Sequence, residues 1–511
     1  MSLPAFSVKR KVTTFMAMMA VIIFGVVSFS KIPLDLMPNI EIPMAVVSTT
    51  YQGAGPAEIE SMITRPLEEA IGTVSGIKNL SSISSEGSSI LMAEFSFGTD
   101  MSFASLDIRE KIDLMKSYLP DGASSPMVML IDINAQPIVQ TAVTGSEDLA
   151  KLQSFCDDVV KPRLERIEGV ASVSVTGGYT NVVHIDVDSK LLNGYGLTTS
   201  YLSQILSAEN LAIPSGEVNN GGQTLTIRTT GEFASIDDIR NLLIPLPTGG
   251  NIRLSELAEV SLGNKDVTSI ATMNGKPCIN ISVQKQSGTN TVQVAERVNA
   301  AFAELAEGYP QYRLDTLMDQ SEYINLAINT VATSAVQGAV LAVIVLFLFL
   351  RNFRTTMIIG VSIPVSVVTT FVLLYFCGIT LNMMTLGGFA LGVGMMVDNS
   401  IVVLENIFRM RQEGMSRSEA SVKGAGEVAL AITASTITTI AVFLPMVFVE
   451  GMVSTIFREL ALTVSMSLIA SLVVALTIVP LLCSVLMPDA DTLKQERALK
   501  RMKRPKNPEG N

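Results

Sequence analysis

An apolar run from Thr13 to Ser30 is followed by a polar stretch, residues 31–330, and then by five further apolar runs. Each run reaches about the 18 residues that mark a membrane-spanning helix. Within hydrocarbon every backbone N–H and C=O must be satisfied inside its own segment, so such runs fold as helices. The chain is therefore an integral membrane protein with six spans and one large polar block between the first and second. The later spans are expected at about 333–350, 355–377, 383–407, 428–449 and 460–487.

The first run follows Lys9, Arg10 and Lys11, as a signal peptide would. It is longer than a typical signal core, and "KIPLDLMPNIEIP" follows it in place of a small-x-small cleavage site, so it reads as a retained span. Orientation comes from the bases at the run ends. One side carries Lys9, Arg10, Lys11, Arg351, Arg354, Arg409, Arg411, Arg417, Lys423 and the tail bases from Lys494 to Lys506; the short loops of the other carry only Arg458. The first side is expected to be cytoplasmic, with both termini inside and residues 31–330 periplasmic or extracellular. The net charge of −11 is spread unevenly, with acids gathered in 31–330, and nothing points to a nucleic-acid partner.

The four cysteines, Cys156, Cys278, Cys377 and Cys483, lack any metal-ligand spacing, and the even count alone leaves a Cys156–Cys278 disulfide open. The one histidine, His184, has no evident metal partners. No nucleophile–base constellation or phosphate loop occurs, so neither an enzyme nor a cofactor is indicated. The methionine pairs Met18-Met19, Met383-Met384 and Met395-Met396 raise a copper-conducting ladder, because thioethers suit Cu(I). Adjacent residues point to different helical faces, however, and methionine is a common packing residue.

The polar block reads as repeated α/β units. "MAVVSTTY" alternates like a strand. "GPAEIESMITRPLEEAIG" is a helix opened by Pro56 and closed by Gly72. "IKNLSSIS" and "SILMAEFSF" flank the Glu86-Gly87 turn; a second helix follows with Asp100 as its cap, and "SPMVMLID" closes the unit. That βαββαβ order is the ferredoxin-like pattern. A second unit begins at "PIVQTAVTG", runs through a helix around Asp148–Glu168 and the strand "ASVSVTG", and resumes with "CINISVQKQ", the helix Thr291–Glu307 and "YRLDTLMD". Between its halves lies an insertion, roughly 181–270, with a Gly-rich hairpin. "VSGIKNLSS" and "IEGVASVSV" share a register, which suggests duplication.

Asp398 lies inside the fourth run, in "VGMMVDNSIVVLEN". An acid near the centre of a spanning helix costs about 2.5–3.5 kcal/mol on insertion scales, and such residues usually mark ion pathways. Burial disfavours a carboxylate, and a carboxyl poised between charged and neutral is what a proton relay needs. Asn399 cannot titrate but can hold Asp398 by hydrogen bonds. Against this stands a polar clamp between helices with no transport role. Thr436 and Thr439 are candidate supports, although hydroxyls in spans often bond their own backbone. Glu405, seven residues on, shares the Asp398 face and is either a proton exit or an interfacial residue. "GFALG", from Gly388 to Gly392, is a small-xxx-small face, and Gly394 follows it.

These elements, in this order, resemble the N-terminal half of a transporter of the RND (resistance–nodulation–division) superfamily, nearest its drug and amphiphile efflux branch. "YQGAGPAEIESMITRPLEEAI" resembles the first porter segment, and "FGTD" the turn before that unit's second helix. "SIPVSVVTTF", "LNMMTLGGFALGVGMMVDNSIVVLENI" and "ITASTITTIAVFLPMVF" resemble the third to fifth spans. The resemblance implies an α-helical membrane bundle of six spans plus α+β ferredoxin-like porter subdomains with an inserted docking subdomain. It divides the chain into the N-terminus and first span, 1–30; a first porter subdomain, 31–133; a second porter subdomain in two parts, 134–180 and 271–330, around a docking subdomain, 181–270; spans two to six, 331–487; and a basic cytoplasmic tail, 488–511.

It further implies proton-driven efflux of hydrophobic or amphiphilic compounds by a chain that needs a second six-span half, on the same or a separate polypeptide. That half would supply the cation facing Asp398 and a span to meet the glycine face. The family's other partners are further protomers, as a homo- or hetero-oligomer with the trimer typical, a periplasmic adaptor and an outer-membrane channel. Three departures stand out. The family chain is about twice this length. Asn399 replaces the second of two adjacent acids, as in metal-exporting relatives, which keep only the first. The strands "PIVQTAV" and "SVSVTGG" lack pocket phenylalanines, and the docking hairpin is short. A non-transporting or protein-export accessory of the same superfamily and a heavy-metal exporter are the alternatives.

Overall fold

A computed structural model describes residues 2–487 apart from 133–134, 147, 221–222, 248, 266, 268, 351–352 and 450. The basic tail lies outside the described residues. Among the described residues, six helices are long and apolar enough to cross a membrane. They are the first span, Lys11–Lys31; the second, Gln320–Leu350; the third, Phe353–Phe376; the fourth, Met383–Gln412; the fifth, Arg417–Phe443; and the sixth, Met452–Leu486. Several run past the apolar stretches that announce them, because a helix continues through its polar ends while hydropathy registers only the part suited to lipid. The second begins at Gln320, directly after a strand. The fifth is interrupted at Leu444, just before Pro445, whose missing N–H breaks the ladder.

The sixth span is the hub of the bundle, packing against the third, fourth and fifth. The second span lies against the fourth and third, and the first against the third. Phe29, Phe371 and Phe389 form a run of rings, with centroids 4.9 and 5.0 Å apart, that links the first, third and fourth spans.

The first α/β unit consists of β1 (Glu41–Thr50), a helix α1, β2 (Ile77–Ser85), β3 (Ser88–Phe95), α2 (Met101–Met115) and β4 (Met127–Asp132). Its strands lie in the order β2-β3-β1-β4, all antiparallel. β3 alternates strictly, placing Leu91, Ala93 and Phe95 in the core. The helices present Ile59, Ile63, Leu67 and Ile71, and Ala104, Ile108 and Ile112, at four-residue spacing against that face. Each such leucine or isoleucine contributes about 1.5–3 kcal/mol by burial. Asp100 caps α2 by accepting from the N–H groups of Ser102 and Phe103.

The second unit repeats the plan with β5 (Val139–Thr144), α3, β6 (Val170–Thr176), β7 (Ile279–Lys285), α4 (Thr291–Gly308) and β8 (Arg313–Asp319). Its order, β6-β7-β5-β8, is the first sheet's order strand for strand. The likeness reaches local detail. α1 runs Pro56–Ile59, a π-helical turn Glu60–Thr64, then Arg65–Ile71; α3 runs Leu149–Phe155, a π turn Cys156–Val160, then Lys161–Glu165. A basic residue and a proline, Arg65-Pro66 and Lys161-Pro162, follow each π turn. Proline removes one ladder donor, and the shifted register of a π turn accommodates the loss. Gly76 and Gly169, matched in the repeat, both take φ near +90° (+87° and +95°) where helix turns into strand.

Strands Asn181–Val187 and Ala258–Asn264 pair to carry the chain into and out of the insertion, which has its own core around Leu202, Ile244 and Leu254. His184 stands on this ribbon, its Nε2 3.0 Å from the carbonyl oxygen of Asn264. The Gly-rich hairpin pairs Ala212–Asn220 with Gln223–Thr230. Cys156 and Cys278 are both buried and free, so the disulfide left open by the sequence is not formed.

Candidate functional site

The fourth span opens on Asn382, whose fully buried side chain accepts from the N–H groups of Met384 and Thr385 while Thr385 Oγ1 accepts from the Asn382 N–H. The Asn382 amide also donates to Glu459 of the sixth span and to Thr380 Oγ1. From this cap the helix runs 30 residues, and Asp398 sits near its middle.

One face of the helix is fixed by the sixth span. A Cβ on Gly388 would lie 2.9 Å from the backbone oxygen of Leu460, and one on Gly392 would lie 2.1 Å from Ser467 Oγ. Ser471 Oγ donates to the Met396 carbonyl over 2.6 Å. The glycines' close approach is thus made within the chain. Gly394 points elsewhere, with nothing within 4 Å of its Cβ position.

Asp398 lies on the opposite, open side and is exposed. It borders a cavity of about 560 Å³ walled mainly by the second, fourth and fifth spans, with Ile363 of the third and Leu468 of the sixth; its lining includes Ser334, Gly338, Asn399, Thr436 and Thr439. Among the described residues, no lysine or arginine lines it. Asn399 is half-buried and donates through Nδ2 to Thr436 Oγ1 at 3.3 Å; the buried Thr436 hydroxyl in turn donates to the Ile432 carbonyl at 2.7 Å. Thr439 is half-buried and bonds its own turn, at Ser435 O, as does the exposed Thr438 at Ala434 O. Glu405 is exposed further along the fourth span.

The structure therefore brings Asp398, Asn399, Thr436 and Thr439 to one cavity and leaves Glu405 outside its lining. The sequence reading missed Asn382, Glu459 and Ser471. The Asn382–Thr385 spacing is a legible capping signal. Glu459 stands one residue before the sixth apolar run, where hydropathy gives no signal.

Six spans, a duplicated α/β unit inserted after the first, and a mid-helix carboxyl in the fourth form a combination that can be compared as a whole. Residues 3–507 match the model of the AcrB/AcrD/AcrF family. The chain belongs to the AcrB/AcrD/AcrF family. Among AcrB/AcrD/AcrF-like relatives, it is 30% identical to the multidrug resistance protein MdtC of Yersinia enterocolitica and 31% identical to MdtC of Serratia proteamaculans. Both alignments cover 96% of this chain and 48% of the relative. The chain thus spans about half the length of the curated relatives it matches.

Proposed function

We propose that these six spans and their α/β units form part of an exporter of hydrophobic or amphiphilic compounds, driven by the proton-motive force, in which Asp398 carries the proton. The observation that carries this reading is the position of Asp398: mid-helix, on an open cavity whose polar lining is hydroxyls and an amide, with no cation among the described lining residues. An ionised carboxyl facing hydrocarbon is costly. A carboxyl in that position calls for a covering surface. A second six-span half, on the same or a separate polypeptide, laid over the second, fourth and fifth spans would cover it and supply a cation. Protonation then alternates Asp398 between a charged, paired state and a neutral one, and the fourth span shifts between two packings. Asn399, pinned to Thr436, holds the helix in register, and Thr439 and Glu405 flank the path.

The matching strand orders support reading 31–133, and 134–180 with 271–330, as ferredoxin-like porter subdomains. The separate core of 181–270 supports a docking role for the insertion. The bases at the ends of the third to fifth spans support placing both termini in the cytoplasm and the α/β units outside the bacterial inner membrane. A trimer working with a periplasmic adaptor and an outer-membrane channel is the corresponding assembly. The relatives' printed name, multidrug resistance protein, supports drug-like cargo.

The test is Asp398→Asn in the full-length protein. Dye efflux falls to background at unchanged membrane abundance, and Asp398→Glu retains part of it. Unchanged efflux in the asparagine variant would falsify the proton role.

A further inference from the structure

Lys285 Nζ and Asp35 Oδ1 meet at 2.5 Å, with side chains only 11% and 19% exposed. Pairs such as Arg65–Glu60 and Arg163–Glu304 lie open to solvent and contribute little. The shielded pair is also elaborated. Thr291 Oγ1 donates to Asp35 Oδ1 at 2.7 Å, Lys285 donates to the Thr289 carbonyl at 2.8 Å, and the Thr291 N–H donates to Leu34 O at 3.0 Å. Lys285 ends β7 and Thr291 begins α4, so both belong to the second α/β unit. Asp35 belongs to the segment that leaves the first span.

That segment is itself stitched to the start of the fourth span. The Asp35 N–H donates to Leu381 O, the Leu381 N–H to Pro33 O, and the Met383 N–H to Leu36 O, at 3.0, 3.0 and 3.3 Å. Leu34 and Leu381 form a parallel bridge. Next to it Asn382 caps the helix that carries Asp398 and reaches Glu459. The second unit has another attachment, since β8 continues at Asp319-Gln320 straight into the second span. Two attachments fix the tilt of a rigid unit where one would leave a hinge. A cavity of about 280 Å³, bordered by Asp35, Lys285, Thr291, Gln320 and Thr380, lies beside the joint.

We propose that Asp35 and Lys285 are coupling residues whose shielded ion pair makes the second α/β unit and the N-terminal end of the fourth span one mechanical body. They act by positioning, at a distance from Asp398. The consequence for transport rests on the proton-driven reading: a shift of the Asp398 helix is delivered to the second sheet through this pair.

The experiment compares full-length protein with Lys285→Met, Asp35→Asn and the exchanged pair Asp35→Lys/Lys285→Asp. Amide hydrogen exchange reads the joint without any transport. Losing one partner of a shielded pair accelerates exchange by at least about tenfold at Leu381 and Met383 as well as at Thr291, and the exchanged pair recovers part of the protection. Acceleration at Thr291 alone, no acceleration, or no recovery overturns the joint. Asp35→Asn keeps an acceptor for Thr291 and serves if the lysine variant does not fold. In proteoliposomes, Lys285→Met lowers dye efflux while proton uptake dependent on Asp398 continues; equal loss of both overturns the coupling role. A wild-type protein without proton-driven efflux refutes the proposed function, and exchange then decides the joint by itself.

Discussion

The side-chain amide of Asn399 donates to the hydroxyl of Thr436 across 3.3 Å, joining the fourth span to the fifth beside Asp398. Thr436 spends its own proton on Ile432, so its oxygen is the acceptor that fixes Asn399. Thr436→Val removes that acceptor and leaves a half-buried amide donor unsatisfied. The expected loss is about 0.5–1.5 kcal/mol, read as a lower thermal unfolding midpoint in detergent. Thr439→Val removes only a bond within one turn and changes stability by less than about 0.5 kcal/mol. Equal effects of the two would remove the basis for a specific interhelical contact.

Three glycines of the fourth span, Gly388, Gly392 and Gly394, are expected to divide sharply. Alanine at Gly388 or Gly392 meets Leu460 or Ser467 inside van der Waals distance, and each costs about 1–3 kcal/mol through displaced packing. Alanine at Gly394 enters open space and is neutral or stabilising by up to about 1 kcal/mol, through the restricted unfolded chain and better helix propensity. The order of the three midpoints is the measurement.

Burial, reinforced by the neighbouring Asp157, pushes the Cys156 thiol up to about 12 from its ordinary 9.0, and burial also raises Cys278. The folded state therefore holds these protons more tightly than the unfolded state. The stability that Cys156 contributes is complete below pH 9, falls as the unfolded thiol ionises, and is lost as the pH approaches 12; Cys278 acts in the same direction. At pH 8, iodoacetamide should modify the exposed Cys377 first and leave Cys156 untouched until denaturant is added. Mass-spectrometric mapping of alkylated sites reads this directly, and early labelling of Cys156 would contradict its buried, protonated state.

Much of the local plan was legible because its signals are local. Alternation in "SILMAEFSF" gave β3, four-residue spacing gave the helix faces, and Asp100 announced its cap. The π turns were not legible: Pro66 and Pro162 mark a disturbed ladder, but only the packing of the helix on its sheet selects how the register shifts. Helix lengths were underread at Gln320 and Arg417, since hydropathy falls silent where a helix leaves lipid.

By itself the sequence determined six spans, two matching βαββαβ units and a carboxyl near the centre of the fourth span, because hydrophobic period and length are properties of neighbouring residues. Only the tertiary structure decided which side of the fourth span Asp398 occupies and that Gly388 and Gly392 close on the sixth span. It also joined Asp35 to Lys285 across 250 positions of chain. A helix has a glycine face and an acidic face whatever surrounds it. Which neighbour each face meets is settled by the packing of distant segments, and no local pattern records that choice.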